Sequence, residues 1–332
     1  MEALVKTWVD PIAQAYTCAQ TSPVQQCVLA NSFIASFSVA MSFGLFCFFA
    51  SRITGNDSWV DRLWSIVPAI YGWMWALLPS IDGTVPPKDG SWTASKQYAA
   101  IITLWAIRLT FNYNRRGGYY KGEEDYRWQY VRKFSFFQGA FGKILYLLFS
   151  FFFISFYQHF LLWSITVPLS TVSPAAAPIS IDHAMCVMFL VLLTWETTAD
   201  QQQWNFQNEK RKVFPQYEEA KKDYARGFRT RGLWALSRKP NVWAESQMWV
   251  VIYGASLYHA DGMNATCLGF ILLGTLLIGA ANYTESITAA KYPAYRVYRK
   301  HVPMLVPRFF GGRAAMEKDF EEFEQAQKKK SK

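Results

Sequence analysis

Apolar residues in this chain run in long, nearly charge-free stretches, and the charged residues are bunched into the loops between them. A bilayer-spanning helix needs about 20 predominantly apolar residues, and stretches near 29–51, 62–80, 98–112, 144–167, 182–199, 244–259 and 265–283 approach that length. The pattern predicts an all-α fold, a polytopic membrane helix bundle of about seven transmembrane helices with cytosolic loops. The shorter runs also suit re-entrant or buried helices. Between the runs, 1–28 reads as a mixed N-terminal segment able to form a short amphipathic helix at the membrane surface, and Ser51–Ser58 as a polar turn. Gln201–Arg231 is the longest soluble piece, with a helix-like stretch over Gln216–Tyr224. Glu285–Phe310 reads as a basic amphipathic helix lying on the membrane, and 311–332 as a charged, mobile tail.

Composition agrees with the pattern. Of 332 residues, 52% are apolar, 17% aromatic and only 17% charged, against about 25% charged in a typical soluble domain. Cytosolic loops of membrane proteins are enriched in Lys and Arg, and two loops stand out. The first carries Arg115, Arg116, Lys121, Arg127, Arg132 and Lys133, and the second runs from Lys210 through Arg226, Arg229 and Arg231 to Arg238 and Lys239. The opposite loops are nearly free of cations, which places the amino terminus outside or in a lumen and the carboxyl terminus in the cytosol. The net charge of +10 flanks spans and lacks any nucleic-acid-binding module, so it points to membrane orientation or phosphate binding and not to nucleic acid.

Of the five cysteines, Cys18 and Cys27 share the non-cytosolic tail and are candidates for a disulfide, while the set shows no C-x-x-C or His-Cys metal spacing. No cleavable signal peptide is expected, because 1–28 lacks a basic start followed by an apolar core. The terminal Lys329-Lys330-Ser331-Lys332 is similar to a dilysine retrieval signal of the endoplasmic reticulum, a receptor-read address, or is a plain solvated tail. Asn264-Ala265-Thr266 is a glycosylation sequon on an expected lumenal turn.

Polar residues that invite a functional reading gather on the expected cytosolic side. Asp61 opens the second run, where it can snorkel or pair with Arg62, and Arg108 sits near the inner end of the third, where a charge needs a partner. Glu196 and Asp200 lie one helical turn apart and repel unless something cationic or polar sits between them. His159 reads as a hydrogen-bonded helix residue, and Glu123-Glu124-Asp125 as a solvated loop with local ion pairs. Gly232–Trp249, a basic loop running into an aromatic segment, puts Asn241, Glu245 and Trp249 on one helix stripe. HExxH, P-loop, GxSxG and GxGxxG motifs are missing, as is a zinc ligand set. What remains is a basic, aromatic pocket able to hold an anionic cosubstrate against a lipid.

The run Gly232-Leu233-Trp234-Ala235-Leu236-Ser237-Arg238-Lys239-Pro240-Asn241, followed by Glu245 and Trp249, resembles the carboxyl-terminal signature of the steroid 5-alpha-reductase superfamily. It is closest to a membrane branch whose pattern reads GLW-x-x-SRHPNY-x-x-E-x-x-x-W. Asp61-Arg62-Leu63-Trp64, Trp105-Ala106-Ile107-Arg108-Leu109, Glu124-Asp125-Tyr126-Arg127, Asp200-Gln201-Gln202 and Tyr292–Pro307 resemble it in the same order. The resemblance implies a reductase-like domain over 29–310, its signature over 182–310. It further implies NADPH as cofactor, a lipid substrate (sterol, polyprenyl or long-chain acyl), and hydride transfer to a carbon–carbon double bond. On that resemblance the cofactor-binding set is Arg108, Glu196, Asp200, Arg238, Asn241, Glu245, Trp249, Glu285 and Tyr295, with no metal. The pattern's His and Tyr are replaced by Lys239 and Val242, and the superfamily's proton-donating tyrosine falls on Trp105. The proton donor is therefore left to Asp61, Tyr71 or a bound water. Two alternatives stand beside this reading: an S-adenosylmethionine-dependent isoprenylcysteine-type methyltransferase, and a non-catalytic lipid-binding protein of the same fold. The oligomeric state is not readable from the sequence.

Overall fold

A computed structural model describes residues 4–210, 221–310 and 312–330. Arg211, Lys212, the first half of the expected Gln216–Tyr224 helix and Ser331-Lys332 of the terminal lysine motif lie outside the described residues. The α-helices are, in order, Asp10–Thr21 (α1), Val24–Leu29 (α2), Ser32–Thr54 (α3), Trp59–Leu63 (α4), Val67–Leu77 (α5), Ala94–Arg115 (α6), Tyr126–Val131 (α7), Gly139–Phe149 (α8), Gln158–Ser164 (α9), Ser180–Lys210 (α10), Lys221–Arg226 (α11), Pro240–His259 (α12), Leu268–Lys291 (α13), Tyr295–His301 (α14) and Arg313–Lys330 (α15). No strand occurs among the described residues.

Among the described residues, four helical segments are long and apolar enough to cross a membrane: Ser32–Thr54, Gly139–Thr171, Ser180–Lys210 and Ala265–Lys291. The first is capped by the Asn31 side chain, which accepts from the Phe33 N–H at 2.8 Å, and closes at Gly55. In the second, a π-helix over Ser150–Tyr157 joins α8 to α9. The expected run at 62–80 divides into α4 and α5. Between them the backbone continues in tighter turns, Trp64 N–H to the Asp61 carbonyl and Ile66 N–H to that of Leu63. Pro68, lacking an N–H, stands at the start of α5, where a helix tolerates it. The runs at 98–112 and 244–259 do form helices of 22 and 20 residues, with Lys96 and Arg108 in the first and Glu245 in the second making them less apolar.

The chain forms two compact units, Met1–Phe189 with Trp249–Leu273, and Leu190–Met248 with Gly274–Lys332. In the first, Phe33, Trp75 and Trp163 pack edge to face, and Cys18 and Cys27 are disulfide-bonded between α1 and α2. The loop expected to be solvated is instead folded onto the Ser51–Ser58 turn. Buried Asp57 accepts from Arg52 at 2.6 Å, Arg132 at 2.8 Å and the Tyr146 hydroxyl, and its N–H donates to Glu124 at 2.7 Å. A carboxylate this buried is tolerated only when paired and hydrogen-bonded. His159 donates or accepts only within the fold, with Nδ1 2.8 Å from the Ser155 carbonyl and Nε2 3.8 Å from Cys47 Sγ.

The second unit has a core of Phe228, Tyr295, Val297, Tyr298, Val302, Met316 and Phe320. The expected mobile tail is therefore a docked helix. Met316 and Phe320 of α15 are buried, and the Arg226 guanidinium lies 3.8 Å from the centroid of the Phe320 ring. Arg226 also pairs with Glu317 and Glu324, and Lys300 with Asp319.

Candidate functional site

Gly232–Trp249 begins with a short 3-10 turn, Gly232–Ala235. Gly232 has φ +67, a backbone conformation that favours glycine, and a Cβ there would lie 2.5 Å from Gln202 Oε1 and push that side chain aside. Gln202 Oε1 accepts from the Leu233 N–H at 3.0 Å, and the Tyr298 hydroxyl donates to the Trp234 carbonyl. Beyond the turn, Arg238 and Lys239 donate their N–H groups to the Pro303 and Met304 carbonyls, both at 2.9 Å. The basic loop is thus laced along the 303–304 segment before α12 starts at Pro240.

Three of the sequence candidates meet in one network. Arg238 grips Glu285 with two bonds, Nε to Oε1 at 2.7 Å and Nη2 to Oε2 at 2.9 Å, and the Tyr295 hydroxyl donates to Oε1 at 3.0 Å. Arg238 also donates to the Val302 and Arg299 carbonyls. Burial works against its charge, but Glu285 more than offsets this and raises its pKa. Lys239 Nζ donates to the Thr284 hydroxyl at 2.9 Å, and burial lowers its pKa.

A second pair joins α10 to α12. Asn241 Nδ2 donates to Asp200 Oδ1 at 3.1 Å, while Asn241 Oδ1 is buried without a hydrogen-bond partner. Glu196 and Asp200 are both buried, and the Asn241 amide answers the second of these two acids. Trp195 and Trp243 flank them with ring centroids 5.5 Å apart. Glu245 is half-buried on the next turn of α12. Arg229 donates to the Gln202 carbonyl at 3.2 Å, and burial depresses its pKa.

Sequence reasoning missed the residue that shapes this basic loop. Asp223 is buried and accepts from Thr230 twice, from N–H at 2.9 Å and Oγ1 at 2.7 Å, with Arg226 and Arg231 each 4.0 Å away. Its only signal is a lone acid within a run of cations.

The remaining candidates belong to the first unit. Asp61 does not pair with Arg62. It accepts from Trp128 Nε1 at 2.8 Å and Arg127 at 3.4 Å, while Arg62 donates to the Gly118 and Glu123 carbonyls. Tyr71 is fully buried, and its hydroxyl has no partner. Arg108 is half-buried on α6. Trp249 is buried with its ring 5.2 Å from that of Trp105, and neither indole N–H has a partner. Polar residues are also not confined to the expected cytosolic side. Asp182, at the start of α10, is fully buried and accepts from His259 Nε2 at 2.9 Å and the Tyr98 hydroxyl at 2.7 Å. The pair was hidden because the two residues lie 77 positions apart.

A family described as "Protein of unknown function (DUF1295)" matches residues 47–302. An uncharacterized protein of Schizosaccharomyces pombe, C594.04c, is 31% identical over 291 residues, which cover 85% of this chain and 81% of that protein. No solved structure matches the chain.

Proposed function

The chain belongs to the DUF1295 family, and from that premise we propose that it is an NADPH-dependent membrane oxidoreductase, reducing a carbon–carbon double bond of a lipid such as a sterol, polyprenyl or long-chain acyl chain. The reading rests on the resemblance of Gly232–Trp249 to the steroid 5-alpha-reductase signature. The observation that carries it is Asn241, fixed to Asp200 through its amide nitrogen and left with a buried, unanswered carbonyl. An orphaned acceptor of this kind costs about 1–3 kcal/mol until a donor arrives, and NADPH offers amide and hydroxyl donors. Its phosphates require cations, and the same unit provides Arg229, Arg231 and Lys239. The donor set fits. Asn241, Asp200 and these cations would hold the cofactor, with Glu196 and Glu245 beside them.

When bound, NADPH supplies the hydride. The protein's part is to orient it, exclude water and hold a proton. Asp61 has both carboxylate oxygens engaged, by Arg127 and Trp128, whereas the Tyr71 hydroxyl keeps a proton that nothing accepts. Of the two candidates, Tyr71 is the better donor. Arg238, Glu285 and Tyr295 hold the loop in shape. The proposal includes seven spans, a cytosolic carboxyl terminus and residence in the endoplasmic reticulum.

The test is binding of NADPH and of S-adenosylmethionine to the purified full-length protein. NADPH is expected to bind and the methyl donor not to, with Asn241→Ala weakening NADPH by about tenfold, the loss of one hydrogen bond. Binding of only S-adenosylmethionine favours the methyltransferase reading. Binding of neither, in the presence of lipid extract, removes both enzyme readings.

A further inference from the structure

In the second unit, the chain after α14 is pinned at two places and turned outward between and beyond them. The Met304 carbonyl accepts from the Lys239 N–H at 2.9 Å and the Ser237 hydroxyl at 3.0 Å, and the Arg308 N–H donates to the Leu236 carbonyl at 2.9 Å. Val306, Phe309 and Phe310 are left 70%, 62% and 89% exposed. Single exposed apolar side chains are ordinary, but a contiguous group of large ones marks a contact with protein or membrane. Depth decides between the two. The Phe309 ring packs edge to face on that of Trp195, centroids 6.2 Å apart. Trp195 closes the charge-free run 184–195 of α10, one of the apolar spanning helices, and Glu196 and Asp200 follow it. A tryptophan at the end of such a run stands at the boundary between hydrocarbon and headgroups. Phe309 is therefore held at that level, where Val306 and Phe310, within three residues of it, meet acyl chains.

Beside this rim lies a cavity of about 580 Å³, a size typical of small-ligand sites, about 300–1,000 Å³. Buried Val302 and Met316 line it together with Leu236, Phe309, Arg308 and Arg313. Both arginines are exposed, and among the described residues no carboxylate pairs with either. The nearest acids in sequence, Glu317 and Asp319 of α15, are taken by Arg226 and by Lys300 and His301. The Arg308 guanidinium has one long contact, 3.5 Å to the His301 carbonyl. We propose that this cavity binds one anionic phospholipid, its phosphate held by Arg308 and Arg313 and its acyl chains lying along Val306, Phe309 and Phe310. Arginine presents a planar fork of N–H donors that matches phosphate oxygens, and its stem can follow an apolar wall while the head stays among headgroups. A free phosphate would satisfy the arginines and leave the apolar rim unused, and an uncharged lipid would do the reverse. Neither arginine is among the residues assigned to NADPH, so the lipid site stands whether or not the cofactor binds.

The test is thermal denaturation of the full-length protein in detergent with dioleoyl phosphatidic acid, with dioleoylglycerol, which lacks the phosphate, and with inorganic phosphate. Phosphatidic acid is expected to raise the melting temperature saturably, and the other two at the same concentration to leave it unchanged. Arg308→Gln and Arg313→Gln should each raise the half-saturating concentration about tenfold, the size of one charged hydrogen bond. Val306→Ser combined with Phe310→Ser should raise it by about tenfold as well, through lost apolar contact. Each variant is compared with its own lipid-free melting temperature, so a change in intrinsic stability does not enter the result. Half-saturation unchanged in both arginine variants, equal responses to phosphatidic acid and dioleoylglycerol, or no response in the wild type overturns the proposal. A response to inorganic phosphate that equals that to phosphatidic acid and survives Val306→Ser with Phe310→Ser assigns the arginines to a free anion and removes the lipid. Phosphatidic acid binding by a protein that does not bind NADPH removes the reductase reading and leaves this site in place.

Discussion

At the scale of single residues, charge proves a poor guide to which groups are available. Arg238 and Glu285 are prominent in the sequence as candidate cofactor ligands, yet each uses its bonding capacity on the other, on Tyr295 and on backbone carbonyls. Asn241, uncharged, retains the open acceptor. The difference was not legible because the partners are 47 residues apart, and local spacing says nothing about such a pair. Asp61 repeats the lesson, bonding to Arg127 and Trp128, more than 60 positions away, and ignoring its neighbour Arg62. The Arg238–Glu285 geometry makes a definite expectation. Glu285 is 3% exposed, so Arg238→Met leaves a buried carboxylate with only the Tyr295 hydroxyl and the more distant Arg299, 3.8 Å away, and should destabilise the protein by about 3 kcal/mol. Adding Glu285→Met removes the stranded charge, and the double variant should recover much of that loss. Denaturation in detergent gives both values, and a double variant no more stable than Arg238→Met would show that the pair is not the source.

Helical elements were easier to read, provided that they were uniformly apolar. The long runs at 29–51, 182–199 and 265–283 appear as helices because nothing in them interrupts the backbone hydrogen bonds. The carboxyl-terminal helix was missed for the opposite reason. Met316, Phe320 and Phe323 recur at spacings of four and three, the signature of one helix face, but acids and lysines surround them and the segment looked solvated. Those charges are themselves used for docking, by Arg226 with Glu317 and Glu324 and by Lys300 and His301 with Asp319. Phe320 is fully buried, so Phe320→Ala should weaken docking by about 3–5 kcal/mol, enough to release the helix, seen as faster amide exchange over 313–330. The docking should also depend on pH. Hydrogen bonds from Lys300 and then His301 hold the Asp319 carboxyl below its ordinary range. A depressed carboxyl contributes stability that is complete above its unfolded pKa, about 3.9, and lost as pH falls through the lower folded value. Protection over 313–330, taken relative to the intrinsic exchange rate at each pH, should therefore hold from neutral pH down to about 4 and fall below it. Asp319→Asn should show the faster exchange already at neutral pH, and a variant indistinguishable from wild type would remove the ion pair from the account.

For the whole molecule, the Cys18–Cys27 disulfide and the basic loops constrain the number of crossings together. A structural disulfide forms in an oxidising compartment, so the segment holding Cys18 and Cys27 is expected on the non-cytosolic side. On the proposed orientation the cationic loops before Pro240 and after Arg115 face the cytosol, as charge bias predicts. A carboxyl terminus on that same side requires an odd number of crossings, whereas the four long apolar helices are even. Adding Ala94–Arg115 and Pro240–His259, each about 30 Å long or more, gives six, still even. Parity is restored only if the interrupted helix from Trp59 to Leu77 crosses as well, or if one of the two longer helices turns back. Val67–Leu77 alone reaches only about 16 Å and cannot span, but α4 and α5 taken through the turns at 64–66 reach about 28 Å. Broken helices at membrane depth are tolerated where protein covers the exposed backbone, and the buried Val60, Val67, Tyr71 and Trp75 supply such cover. The broken pair is therefore expected to be a true span. In sealed microsomes a thiol reagent should label Cys18 and Cys27 only after reduction and detergent, and a carboxyl-terminal tag should be cleaved by external protease without detergent. A glycosylation site placed in 81–93 should stay unmodified if the broken helix does not cross and the first span does, and that placement would leave five or fewer spans.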